Sequence, residues 1–185
     1  MPITQSTLSV TTTPFATGVW WDVACWMPNT VSTTAIAADT IYAMKVKIPR
    51  NLVITRVFCE TTIAAAGGKL IRHGLYTVGT DGLPATLLYD TGSLAADAAA
   101  GDIGANVSMA LPYDEIWVAT LSDGTPTLRA YAVERAPQFM GWRGAVTATT
   151  KELNLLKTQA YGSLPNPFGT PTSYGNGPLR VGVKS

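Results

Sequence analysis

Hydrophobic and polar residues alternate with a period of two through much of this chain, the spacing of strands that bury one face. Between residues 41 and 48, Tyr42, Met44, Val46 and Ile48 share a face, and Lys45 and Lys47 point away from it. After the break Pro49-Arg50-Asn51, residues 52–60 are apolar on both sides for most of their length, as burial under a second sheet requires. Ala64-Ala65-Ala66-Gly67-Gly68 is a flexible connection to a strand over 69–78. Turn signals are dense from Gly79 to Pro84, with Asp81-Gly82 the strongest. Strands follow at 86–90, 106–111, 113–121 and 127–133, the last two separated by the turn Ser122-Asp123-Gly124-Thr125-Pro126. Residues 95–106 contain Gly101 and Gly104 and no apolar stripe, so a loop is expected there despite the run of alanines.

The two ends are less regular. Residues 1–18 are rich in Thr and Ser, with Pro2, Pro14 and Gly18, and read as an extended arm. A polar terminus of this kind stays disordered unless something holds it, so docking on its own domain or on a neighbouring chain is expected. The aromatic run at 19–26 is a strand closed by Pro28 and Asn29. Residues 150–157 are expected to form a short helix capped by Thr149 or Thr150. Residues 161–178, rich in Gly, Pro, Asn and Ser, read as an irregular surface path, and 179–183 as a closing strand. Roughly eight to ten short strands, with no amphipathic helix of useful length and no repeat, make an all-β fold. The expected architecture is a jelly-roll-like antiparallel β-sandwich over residues 19–185, with the 1–18 arm and an irregular C-terminal segment.

Composition narrows the partners. Of 185 residues, 13 are Lys or Arg and 12 are Asp or Glu, for a net charge of +1. The cations are scattered singly, without the basic stripe that marks nucleic-acid binding, so no nucleic-acid partner is expected. Charged residues make up only 14%, against roughly 25% in soluble domains. The surface must therefore be covered by Thr, Ser, Asn and small residues, or be partly hidden in an assembly. No apolar run approaches the ~20 residues of a spanning helix, and no membrane insertion is expected. The first ten residues have neither a basic nor an apolar region, so no secretory signal is read and folding in a cytoplasm is expected. Cys25 and Cys59 are too few for a disulfide scaffold or a multi-cysteine metal site, and read as buried thiols.

Candidate chemistry is sparse. His73 is the one histidine and lies mid-strand, where a hydrogen-bonded or edge-exposed role is expected. With two distant cysteines it assembles no zinc site. No Gly-x-Ser-x-Gly elbow or phosphate loop occurs. Asp81 and Asp123 belong to turns, and the Asp81 and Asp102 loops lack calcium-loop spacing. Asp114-Glu115 is expected to pair with Arg129 or to be solvated. No catalytic, cofactor-binding or metal-binding residue is assigned, no cofactor is expected, and the chain is not expected to be an enzyme. The aromatics say more. Trp117 alternates within a strand and reads as core or half-buried. Adjacent Trp20 and Trp21 cannot both face inward on one strand, so one indole faces outward or into a partner. Trp20, Trp21, Trp26, Trp142 and Phe15 are the candidate partner interface, which the low surface charge favours over sugar stacking.

A series of blocks runs in a definite order. Ala37-Ala38-Asp39-Thr40-Ile41-Tyr42 leads to Lys47-Ile48-Pro49-Arg50, and a small-residue linker runs from Thr61 to Lys69. Gly74-Leu75-Tyr76, Asp81-Gly82, Leu83-Pro84-Ala85-Thr86-Leu87-Leu88 and Asp90-Thr91-Gly92 come next. A Trp-containing strand from Ile116 then ends in Leu121-Ser122-Asp123-Gly124. From Thr33 to about Ala132 this order resembles a β-sandwich module of tailed-bacteriophage virions, found in tail-fibre, minor tail and head-associated proteins. Leu164-Pro165-Asn166-Pro167-Phe168 and Pro178-Leu179-Arg180-Val181 look similar to the ends of such chains. Arg72-His73 departs from the pattern before Gly-Leu-Tyr, and residues 1–32 and 134–163 have no counterpart.

The resemblance implies a jelly-roll fold and a virion role without catalytic residues. The expected function is then a virion structural protein, a capsid decoration or cement protein or a head-attached one, that stabilises the particle through subunit contacts. Expected partners are copies of itself, in a homotrimer or other symmetric oligomer, and major capsid or tail proteins. The alternative is a tail-fibre or tail-tip module binding a host surface glycan. Either reading places the protein in the virion, made in the host cytoplasm.

Overall fold

The face marked by Tyr42, Met44, Val46 and Ile48 is the one that turns into the core. Met44, Val46 and Ile48 are buried between two sheets and Tyr42 is partly buried. The structure, a computed structural model, describes residues 20–22, 31–98, 100–131, 154–175 and 179–185, and the expected arm over 1–18 lies outside them. Every regular element among the described residues is a strand. In chain order these are β1 (Trp20–Asp22), β2 (Val31–Ala35), β3 (Thr40–Lys47), β4 (Leu52–Ile63), β5 (Leu70–Val78), β6 (Pro84–Asp90) and β7 (Leu94–Ala95). They continue with β8 (Gly101–Leu111), β9 (Glu115–Ser122), β10 (Thr127–Tyr131), β11 (Asn154–Thr158), β12 (Ser173–Gly175) and β13 (Val181–Lys184).

The pairing is that of one long hairpin rolled up on itself. β2 pairs with β10, β3 with β9, β4 with β8 and β5 with β6, all antiparallel. Successive pairs alternate between layers: β2·β10 and β4·β8 lie in the first sheet, β3·β9 and β5·β6 in the second. Contacts of β10 with β4, and of β9 with β5, close each layer. This nesting defines a jelly roll, the architecture expected from the sequence. Ile54, Val57 and Cys59 from β4 meet Ile71 and Leu75 from β5 and Val118 from β9 in the space between the sheets. Each such side chain contributes roughly 1.5–3 kcal/mol when removed from water. Cys59 is a free thiol in this core, and burial pushes its pKa up to about 12.

The later strands fill edges the roll leaves open. β10 follows β4 only at Thr127 and Leu128, and β13 occupies the rest of that edge, pairing with Arg56 to Cys59. β1 lies outside β13, and β11 pairs with the free edge of β3. Three sequence expectations change here. The expected helix over 150–157 is, in its described part, strand β11: a helix of about eight residues is marginal alone, whereas β3 and β12 offer a ladder on both sides. The expected loop over 95–106 contains the start of β8, which pairs with β4 from Gly101 onward. The chain also forms β2 at a stretch where no strand was expected, because β10 supplies its partner.

Gly104 explains why that region looks loop-like in sequence yet forms a strand. A Cβ built there would lie 2.3 Å from the Val57 carbonyl oxygen and 2.9 Å from the Phe58 Cα. The close approach of β8 to β4 therefore needs a residue without a side chain. Next to it, Thr55 alone stands between the register pairs Ile54–Met109 and Arg56–Asn106, so Val107 and Ser108 form a bulge on β8. Gly104→Ala is expected to lower stability by about 1–3 kcal/mol, as overpacking does, read as a lower urea midpoint at unchanged slope. An unchanged midpoint would show that the two strands can part without strain.

Candidate functional site

The residues nominated as a partner interface are not brought together by the described part of the chain. Trp20 and Trp21 lie on β1, opposite Lys184 and Val183 of β13. Phe15, Trp26 and Trp142 lie outside the described residues, as does Cys25. Trp117 is buried as expected, its Nε1 donating to the Gly82 carbonyl at 3.2 Å with the Lys45 ammonium 5.6 Å from the ring centroid. Asp81 does turn work, its Oδ1 accepting from the Leu83 amide at 3.0 Å, whereas Asp123 Oδ1 accepts from the distant Leu70 amide at the start of β5 at 2.6 Å. Of the two alternatives for Asp114-Glu115, pairing with Arg129 does not form, and Asp114 is largely solvent-exposed. Asp114 holds Arg50 through two hydrogen bonds of 3.1 and 3.3 Å, Glu115 lies 3.7 Å from both Lys45 and Lys47, and Arg129 instead grips Glu60 at 2.9 and 3.1 Å. Register accounts for this: Lys47 stands opposite Glu115 in the β3–β9 ladder, and Arg129 reaches Glu60 from β10 at the first sheet.

The most elaborate assembly of side chains lies on the outer face of the second sheet, under residues 159–172. Outward-facing Ile41 and Ala43 of β3, Tyr76 of β5, and Trp117, Ala119 and Leu121 of β9 form a second apolar cluster with Leu155, Leu164 and Phe168. The irregular path read from the sequence is thus a strap that closes a second core. Gly74 makes room for it, since a Cβ there would meet Leu164 Cδ1 at 2.2 Å. Tyr76 stacks edge-on to Phe168 at 5.1 Å and donates its hydroxyl proton to the Pro165 carbonyl at 3.0 Å. Burial, with the Asp90 carboxylate nearby, raises the Tyr76 pKa and keeps that hydroxyl a donor.

Polar groups fasten the strap at intervals. Asp39, held at φ 55°, takes the Gln159 amide on its carbonyl at 2.9 Å and the Tyr161 amide on its carboxylate at 2.8 Å. Asp90 accepts the Leu164 amide at 3.1 Å while ion-paired with Arg72 at 2.7 Å, and the Arg72 guanidinium lies 5.6 Å from the Tyr161 ring centroid. Asn166 Oδ1 accepts the Leu87 amide at 3.2 Å, and the Phe168 amide donates to the Ala85 carbonyl at 2.9 Å. These last two contacts satisfy backbone groups of β6, which ends the sheet, and so blunt an edge open to other strands. Sequence reasoning missed this surface. Its signal was present: Ile41, Ala43, Ala119 and Leu121 occupy the outward positions of strands already apolar inward.

An open groove of about 460 Å³ occupies one end of the sandwich, between the β3–β4 turn and the β8–β9 connection. Val78, Pro112 and Tyr113 give it an apolar floor, with Lys47, Arg50, Asp114 and Glu115 around them. The charges there already neutralise one another in pairs, which suits a polar contact surface. Among the described residues no three His, Cys, Asp or Glu side chains are placed to hold a metal ion. In comparisons with known proteins, the chain matches no protein-family model and no curated protein.

Phe168→Ala removes a fully buried ring from the strap core and is expected to cost about 3–5 kcal/mol. The loss should be local first: limited proteolysis should cut within residues 159–172 while β4 and β9 keep their amide protection. Uniform loss of protection across both sheets would show that strap and sandwich are a single cooperative unit.

Proposed function

We propose that this chain is a structural protein of a tailed-bacteriophage virion, a decoration, cement or head-attached block that stabilises the particle through subunit contacts. One observation carries the reading. The nested jelly-roll pairing runs from β2 to β10, residues 31–131, which is the same stretch whose motifs resemble the virion module. The organisation of charge supports it. Arg50, Arg56, Arg72 and Arg129 each hold a carboxylate of their own chain, so a neighbour can approach without desolvating unpaired ions. Apolar area buried between chains then contributes about 25 cal/mol per Å² before the costs of association.

The strap alters how such a block is used. Residues 159–172 lie on their own sheet, so contacts with sister copies fall on other surfaces. A symmetric homo-oligomer follows the general rule for assemblies of identical chains. The test combines mass measurement of the purified protein with co-sedimentation on capsids that lack it. A symmetric oligomer, or saturable binding at a fixed copy number per particle, is expected. A monomer that ignores capsids would overturn the proposal, and specific glycan-array binding by that monomer would favour a tail-tip adhesin instead.

A further inference from the structure

His73 is the one histidine of the chain. It is fully buried on β5, on the same inward face as Ile71 and Leu75. Its Nδ1 lies 3.0 Å from Thr120 Oγ1, its cross-strand neighbour on β9, while Nε2 has no hydrogen-bond partner. The Ile103 backbone of β8, in the other sheet, offers the ring a hydrogen bond that favours its charged form without offsetting the effect of burial. The backbone of His73 also clamps the β6–β7 corner: its amide donates to Thr91 Oγ1 at 2.9 Å, and its carbonyl accepts the Thr91 amide at 2.9 Å.

We propose that His73 is a proton-operated switch between the two sheets, whose protonation releases β8 and the β6–β7 corner while the strap side stays closed. A charged imidazolium is disfavoured in that site because burial strips its water, and only the Ile103 backbone and the Thr120 hydroxyl are at hand to take its two N–H protons. The charged groups facing it offer little help. Asp102 on β8 favours the imidazolium, but Arg56 on β4 opposes it and is bound to that same Asp102 at 3.1 Å. Cys59, cross-strand from Ile103, is protonated, β9 contributes only Thr120, and Arg72 with Asp90 lies on the far side of β5. Burial accordingly lowers the His73 pKa to about 4 from 6.5.

The sign follows from linkage. The opened state binds the proton near pH 6.5 and the closed state only near 4, so closure weakens as pH falls through that interval. β8 is held by β4 on one side only and is interrupted by its bulge, so it can part from the sandwich without breaking a second ladder. The device stands on the fold alone and does not depend on the virion reading.

The experiment is hydrogen exchange of the full chain from pH 7 to 4, corrected for intrinsic rates, beside NMR titration of the single histidine. At ten-fold per pH unit between 6.5 and about 4, the open population of residues 91–96 and 101–106 should rise roughly 300-fold, ahead of residues 164–168. His73→Leu should flatten that dependence, and so should His73→Gln, which keeps a hydrogen-bonding group if the leucine variant folds poorly. A ring titrating near 6.5 in the native protein, or equal pH profiles for wild type and both variants, would overturn the proposal.

Discussion

A strand that is apolar on both sides needs cover on both, and β9 is such a strand: every residue from Ile116 to Ser122 is buried. Sandwich packing covers only the inward side, where Ile116 and Val118 meet the first sheet. Trp117, Ala119 and Leu121 would be left in water without a third layer. The strap is that layer, and much of the second sheet's detail serves it. Gly74 clears its path, Asp39 and Asp90 hold its backbone, and Tyr76 anchors Pro165 and Phe168. The Arg72–Asp90 pair gains its place from the same need, since Asp90 also accepts the Leu164 amide of the strap and the Gly92 amide.

The first sheet meets a similar problem differently. Its outer surface carries ion pairs between strands: Arg56 on β4 reaches diagonally to Asp102 on β8, and Glu60 on β4 lies between Arg129 and Arg180. Here paired charge takes the place that the apolar strap has on the second sheet. The two outer surfaces therefore offer unlike chemistry, one apolar and self-covered, the other charged and internally matched.

Most of the roll could be read from period-two alternation, because strands with a buried and an exposed face leave that signature. β3, β4, β5 and β9 came out close to their observed limits for this reason. β8 did not, since its small residues are dictated by the approach to Val57 and Phe58, and a contact distant in sequence leaves no local periodicity. β11 was mistaken for a helix on the same ground: the ladder that decides its conformation is offered by β3, more than a hundred residues earlier. The nominated tryptophans rested on exposure, which alternation on one strand cannot fix. His73 was read as an ordinary strand histidine because its isolation becomes evident only once β8 and β9 close around it.

The late strands also bear on how the molecule is made. β11 extends the second sheet and β13 completes the first, and both sit beside strands from the first third of the chain. During synthesis, β3 and β4 must wait with an open flank until residues 154–184 have left the ribosome. Nearly every decisive contact joins distant positions, a topology that folds slowly. A nascent chain of this design carries open strand edges until its last segment is made, and such edges invite pairing with other chains.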